Sequence, residues 1–138
     1  MRDSYHDLVP EISLKLQALT TAKDGENIID LQGFESARID IYSGTITDGD
    51  AYTFELKEGS ESNLSDAAAV ADENLLPQGG GAEPVFATAD GDKIKSFGYV
   101  GTKRYLRLDF KSVTGSPATG GLFVAAIVKG HPRHKPAV

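Results

Sequence analysis

The chain has 138 residues, fifteen glycines, six prolines and no cysteine, with a formal net charge of −6. That length suits one domain, which buries roughly 68% of the surface its unfolded form exposes, and the missing cysteines exclude disulfides and thiolate metal sites. No apolar run of signal-peptide length follows the N-terminus, and the longest apolar run, the seven residues Leu122 to Val128, falls far short of the ~20 in a membrane helix. The expectation is a chain with no standard secretion signal and no membrane span.

Residues 1–10, which are charged and hold Tyr5 and His6, read as an extended arm ended by Pro10. Ile12, Leu14, Leu16 and Ala18 alternate with polar residues, the period of a half-buried strand. A turn at Asp24-Gly25 precedes a short strand from Ile28 to Leu31, which Gly33 breaks. Ala37, Ile39 and Ile41 alternate with Arg38, Asp40 and Tyr42, and beyond Thr47-Asp-Gly-Asp50 the residues Tyr52, Phe54 and Leu56 share one face. The two segments read as a hairpin joined by a turn in which Gly supplies left-handed geometry. Ser65 to Asp72 is either one helical turn with Ser65 as N-cap or an irregular excursion, and Pro77 to Pro84, with Gly79 to Gly81, is a flexible loop by composition.

A short strand at Val85 to Thr88 and an acidic turn at Asp90-Gly-Asp92 lead into strands from Ile94 to Val100 and from Thr102 to Phe110, around Gly101. In the second of these Leu106, Leu108 and Phe110 face inward, and Tyr105, Arg107 and Asp109 outward. Leu122 to Val128 is apolar on both faces, which fits either a covered central strand or an interface strand. Residues 130–138 form a basic, proline-rich tail with no pattern for regular structure. About eight strands and at most one short helix result, at the spacing of a sandwich, barrel or jelly roll, in one domain over residues 1–138.

Nucleophilic catalysis needs a base beside the nucleophile, and the histidines, His6, His131 and His134, lie in the terminal arms, poor platforms for exact geometry. Asp48-Gly-Asp50 and Asp90-Gly-Asp92 offer carboxylates that suit calcium, but neither has the glutamate at the twelfth loop position of an EF-hand, and turn chemistry accounts for both. The segment from Gly98 to Arg104 lacks phosphate-loop spacing. Lys103-Arg104-Tyr105-Leu106-Arg107 mixes bases with an aromatic ring as single-strand binders do, yet the chain is acidic, with a pI near 5.0. These residues predict no enzyme, cofactor, metal or nucleic-acid partner.

The charge is graded: residues 1–92 hold 19 acids and 5 bases, residues 93–138 one acid and 9 bases. Such a split favours docking on a patterned partner, unless strands from the two parts intermix and the gradient cancels in space.

Gly98-Tyr-Val-Gly-Thr-Lys-Arg-Tyr-Leu-Arg-Leu108, with Tyr52 to Asp66 and Lys129 to Pro136, resembles the head-decoration (cement or stabilisation) proteins of tailed phages. Within that set it is similar to the Bordetella phage cement-protein group. The resemblance spans about residues 27–136. It implies a jelly-roll-like antiparallel β-sandwich with terminal arms that binds the exterior of the major capsid protein shell as a homo-oligomer, a dimer or trimer, in the virion after synthesis in the host cytoplasm. Tyr5, Tyr99, Tyr105, Arg107, Arg133 and Lys135 are the expected capsid or subunit contacts, by exposure and by the preference of interfaces for Tyr and Arg. The arms either order on the shell or are frayed ends. A glycan- or receptor-binding sandwich, with Tyr42, Tyr52 or Tyr99 stacking on sugars, is the alternative. A small β-barrel hydrolase or isomerase stands third, since no acid–base set clusters in the expected core.

Overall fold

The computed structural model describes residues 3–77 and 83–134; the Gly79–Gly81 loop and Lys135 lie outside them. The described residues form ten strands: β1 (Val9–Leu19), β2 (Ile29–Asp30), β3 (Phe34–Ile46), β4 (Ala51–Gly59), β5 (Ala68–Ala69), β6 (Leu75–Leu76), β7 (Val85–Ala87), β8 (Ile94–Tyr99), β9 (Tyr105–Val113) and β10 (Gly121–Pro132). Two single 3-10 turns, Asp72–Asn74 and Thr88–Asp90, complete them. No helix among these residues is long and apolar enough to cross a membrane.

The strands build two antiparallel sheets, one ordered β1-β10-β3-β8-β6, the other β2-β9-β4 with β5 and β7 both on the far edge of β4. Pairing is nested: β1 with β10, β2 with β9, β3 with β8, β4 with β7. A long antiparallel ribbon folded on itself in this order is a jelly roll. Nesting also settles the charge gradient, because it sets early residues beside late ones. Asp30 holds Arg104 at 2.8 Å, Glu35 holds Arg133 at 2.6 Å, Glu55 faces Lys111 at 3.6 Å, and Glu11 pairs with Lys129. The late bases are thus matched to early acids within the molecule, and a net −6 remains.

The alternation read from sequence holds in the middle strands. Ala37, Ile39 and Ile41 of β3, Tyr52, Phe54 and Leu56 of β4, and Leu106, Leu108 and Phe110 of β9 are buried between the sheets. At their centre the Phe54 ring lies 5.3 Å from Phe123, 5.4 Å from Phe110 and 5.9 Å from Phe86, centroid to centroid. Each such aromatic pair adds about 0.5–1.5 kcal/mol to plain burial.

Four expectations change. The first is the hairpin: β3 and β4 lie in different sheets. Both edges of β3 are occupied, by β10 and β8, so the chain after β3 must cross the sandwich. Asp48 anchors the crossing, accepting N–H bonds from Ala118 (2.9 Å), Thr119 (3.2 Å) and Gly120 (2.6 Å), while the Tyr52 hydroxyl donates to the Asp48 carbonyl at 2.5 Å. Gly120 has φ +82°, and a Cβ there would collide with the Leu19 carbonyl oxygen, so the loop that wraps Asp48 requires glycine at that point.

The second is Ser65 to Asp72, which is the irregular excursion and not a helical turn. Side-chain carboxylates compete for its backbone: Asp66 accepts from the N–H of Ser60 and Glu61, and the Asn63 side chain accepts from that of Ser65. The third is β1, where only Leu14 of the four alternating residues is buried. Register shifts between Ile12 and Leu14 and between Leu14 and Gln17 reset the alternation. They turn Ser13 inward, where its hydroxyl donates to the Asn27 carbonyl at 2.9 Å and accepts from the Leu108 N–H at 3.0 Å.

The fourth concerns the arms, which are shorter than expected. Residues Ser4 to Leu8 fold into a turn closed by Asp7 and Leu8 N–H groups on the Ser4 carbonyl. Val9 and Pro10 already pair with Lys129 and Val128, proline being tolerated because β1 is an edge strand. At the other end Gly130 and Pro132 pair with Ser36 and Phe34, so β10 takes the first residues of the expected tail.

Three backbone N–H groups hold the Asp48 carboxyl below its ordinary 3.8. A depressed carboxylate pKa stabilises the fold above the unfolded value and loses that contribution as pH falls through the folded one; Asp66 is lowered likewise by the Ser60 and Glu61 N–H groups, and Asp90 by the Ala87 N–H together with Lys95 and Lys93. The thermal midpoint is expected to fall as pH drops from about 5 to about 2. Asp48→Asn should lower the midpoint at neutral pH and flatten that decline. Thermal melts across the range check this, and an unaltered slope in the variant counts against Asp48.

An apolar outer sheet face as the candidate functional site

Because side chains alternate across a strand, the register of the β1-β10-β3-β8-β6 sheet fixes its outer surface. Phe123, Ala125 and Ile127 of β10 point into the core, so Leu122, Val124, Ala126 and Val128 point out. Ala18 and Ile12 of β1 lie opposite Leu122 and Ala126. On the other side of β10, Val124 lies opposite Tyr42, itself opposite Ile94 of β8. Leu76 of β6 lies beside Gly98 at the far edge. Ile94 is 62% exposed, and Leu16 of β1, within the register shift between Leu14 and Gln17, is 66% exposed.

The polar side chains between them form one closed group. The Arg38 guanidinium donates to both Asp40 oxygens, at 2.9 and 3.0 Å, and the Ser96 hydroxyl donates to Asp40 at 2.6 Å. Asp40 is buried beneath them, so its charge is compensated in place and leaves no unpaired acid on the face. The outer face of the opposite sheet differs in kind. There Lys57 meets Glu55 at 2.7 Å, Lys111 meets Glu55, and Arg107 forks onto Asp109 at 2.7 and 3.0 Å.

Four strands at about 4.8 Å spacing and about seven residues at about 3.3 Å rise give this sheet face, the Arg38–Asp40–Ser96 group included, roughly 450 Å² in plan. The largest apolar patch on a typical monomer spans about 300–600 Å² and is often functional, so a face of this size is a candidate site. The segment Leu122 to Val128 is thus a central strand whose outer side the described residues leave partly open, with Leu122 exposed and Val124, Ala126 and Val128 half-buried.

The residues expected to make contacts are scattered. Tyr5 is 71% exposed on the N-terminal turn, with its ring edge-on to His6, which pairs with Asp3. Tyr99 points inward and is 3% exposed, a correction to its expected outward placement. On β8 it shares the side of Phe97, and its hydroxyl donates to Glu58 at 2.6 Å and accepts from the Lys103 N–H at 3.0 Å. Burial and the Glu58 carboxylate push the phenol well above its ordinary range. Tyr105 starts β9 under the Arg104 guanidinium, 5.0 Å from its ring.

Arg107 is committed to Asp109, which raises its pKa, and Arg133 to Glu35; Lys135 lies outside the described residues. Tyr99 and Arg133 meet only in lining a cleft of about 450 Å³ with Gly101, Lys103 and Arg104. The sugar-stacking set is corrected too, since Tyr52 and Tyr99 are both buried and Tyr42 alone of the three is exposed. Ile12, Leu16, Tyr42, Leu76 and Ile94 were missed as a set. The signal for Ile94 lies in its spacing, because it stands three positions before inward Phe97 and the two must face opposite ways.

No family model and no curated protein matches this chain.

Tyr99→Phe removes the donor to Glu58 and the acceptor of Lys103, and is expected to cost about 1–3 kcal/mol in denaturant unfolding, the range for a buried polar group left unpaired. An assembly assay on the folded variant should be unchanged. A weakened assembly at unchanged stability would restore Tyr99 as a contact residue.

Proposed function

We propose that this protein is a structural assembly protein, and that the assembly is the exterior of a tailed-phage capsid, which it decorates and stabilises. The observation that carries the assembly role is the uncovered aliphatic face of the β1-β10-β3-β8-β6 sheet. The capsid reading rests on the resemblance of the Gly98–Leu108, Tyr52–Asp66 and Lys129–Pro136 segments to phage cement proteins. The jelly-roll order, expected from that resemblance, supports the same reading, although folds of this kind serve many functions.

The mechanism would be mass action. A protein that binds the closed shell, and not its separated subunits, stabilises the shell by its binding free energy at each site. Several copies joined together hold several shell subunits at once, and multivalency raises retention without new contact chemistry. Glycan binding is the weaker reading, because two of its three aromatic platforms are in the core.

Purified protein mixed with phage heads that lack it should co-sediment saturably, at a fixed ratio to the major capsid protein, and raise the heat resistance of the heads. Failure to bind mature heads at saturating concentration would remove the capsid role.

A further inference from the structure

We infer that the cleft between the β2–β3 turn, the β8–β9 loop and the end of β10 binds a carboxylated saccharide, with Lys103, Arg104 and Arg133 gathered on its carboxylate. None of the apolar side chains of the outer sheet face lines this cleft, so the site is separate from the assembly surface.

The cleft is held open by backbone bonds between segments distant in sequence. The Leu31 N–H donates to the Arg104 carbonyl and the Arg133 N–H to the Gly33 carbonyl, both at 2.8 Å. The Phe34 N–H closes the turn on the Leu31 carbonyl at 3.0 Å, and the buried Tyr99 hydroxyl accepts from the Lys103 N–H at 3.0 Å. The enclosed space of about 450 Å³ lies within the about 300–1,000 Å³ of small-molecule sites.

Charge is the first argument. The chain carries a net −6, yet the cleft sets Lys103, Arg104 and Arg133 against one lining carboxylate, Glu35. Asp30 engages Nε and Nη2 of Arg104, Gln32 shares Nη2, and Glu35 engages Nε of Arg133. Those bonds fix both guanidinium planes. They leave Nη1 of Arg104 and both terminal nitrogens of Arg133 without an acceptor among the described residues. The Lys103 ammonium makes no ion pair or hydrogen bond among them either. Positioned guanidinium N–H groups with an adjacent ammonium suit a carboxylate.

The rest of the lining is the second argument. The Thr102 hydroxyl and the Gln32 amide nitrogen also lack an acceptor among the described residues, and Glu35 has an oxygen to spare. Sugar hydroxyls both donate and accept, so they match this mixed set. The half-buried Leu31 and Phe34 offer apolar surface to the C–H side of a sugar ring. Glu35 sets a like charge beside any densely charged anion, which disfavours phosphate. A nucleic-acid strand would need a free ring to stack on, but the Arg104 guanidinium covers Tyr105 at 5.0 Å.

Titration calorimetry of the whole chain tests this. The acidic probes are sialyllactose and digalacturonate, lactose and galactobiose are their uncharged counterparts, and inorganic phosphate is the simple anion. At least one acidic probe should bind saturably at one site, with its uncharged counterpart at least about tenfold weaker. Lys103→Glu and Arg133→Gln should each raise the dissociation constant of that probe at least about tenfold, and Lys111→Glu on the opposite sheet should leave it unchanged. Circular dichroism checks that each variant is folded. Lys103 has no side-chain partner to lose, so its variant keeps the test decisive if Arg133→Gln unfolds.

Failure of both acidic probes to bind overturns the inference. So does a folded Lys103→Glu variant that binds as the wild type does, or an uncharged counterpart that binds equally tightly. Phosphate that displaces the acidic probe at equal or lower concentration makes the cleft a plain anion site and overturns the saccharide assignment.

Discussion

A strand that is apolar on both sides needs cover on both sides, and the described residues supply full cover on one. Strand β10 lies between β1 and β3 in the middle of its sheet. Its Phe123 side meets the aromatic centre of the sandwich, and its Val124 side meets solvent. The jelly-roll order forces that outcome: nested pairing commits the remaining described strands to the same two layers, with no third layer over β10 among them. The functional reading follows from this imbalance between the apolar surface the sequence carries and the surface its own fold can bury.

The same nesting accounts for the electrostatics. A chain whose acids come early and bases late would be strongly dipolar if its two parts formed separate lobes. Pairing the first strand with the last and the second with the second-last sets Glu11 beside Lys129 and Asp30 beside Arg104. Exposed pairs of this sort contribute little individually, but together they set late bases against early acids and reduce the charge asymmetry along the chain.

Much of the fold was legible in the sequence where alternation is clean. The inward triplets of β3, β4 and β9 are read directly from Ala37-x-Ile39-x-Ile41, Tyr52-x-Phe54-x-Leu56 and Leu106-x-Leu108-x-Phe110. Legibility fails where a non-local constraint decides. Nothing around Asp48-Gly-Asp50 tells a hairpin from a sheet crossing, because the choice depends on whether β10 and β8 already occupy the edges of β3. The bulges in β1 depend on Ser13 reaching Asn27 and Leu108. Tyr99 was misassigned by weighing residue type over parity, although Phe97 two positions before it sets its side. For the candidate face, the doubly apolar β10 was visible, but its neighbours Ile12, Tyr42 and Ile94 become one surface only through the strand order.

Hydroxyl-radical footprinting of the protein at high dilution and in its assembled form tests the central claim most directly, because it labels exposed side chains and not backbone. The account predicts strong protection on assembly at Leu16, Tyr42, Ile94 and Leu122, with the outer side chains of β4 and β9 less changed. Protection confined to β4 and β9, with those four side chains labelled equally in both forms, would contradict it.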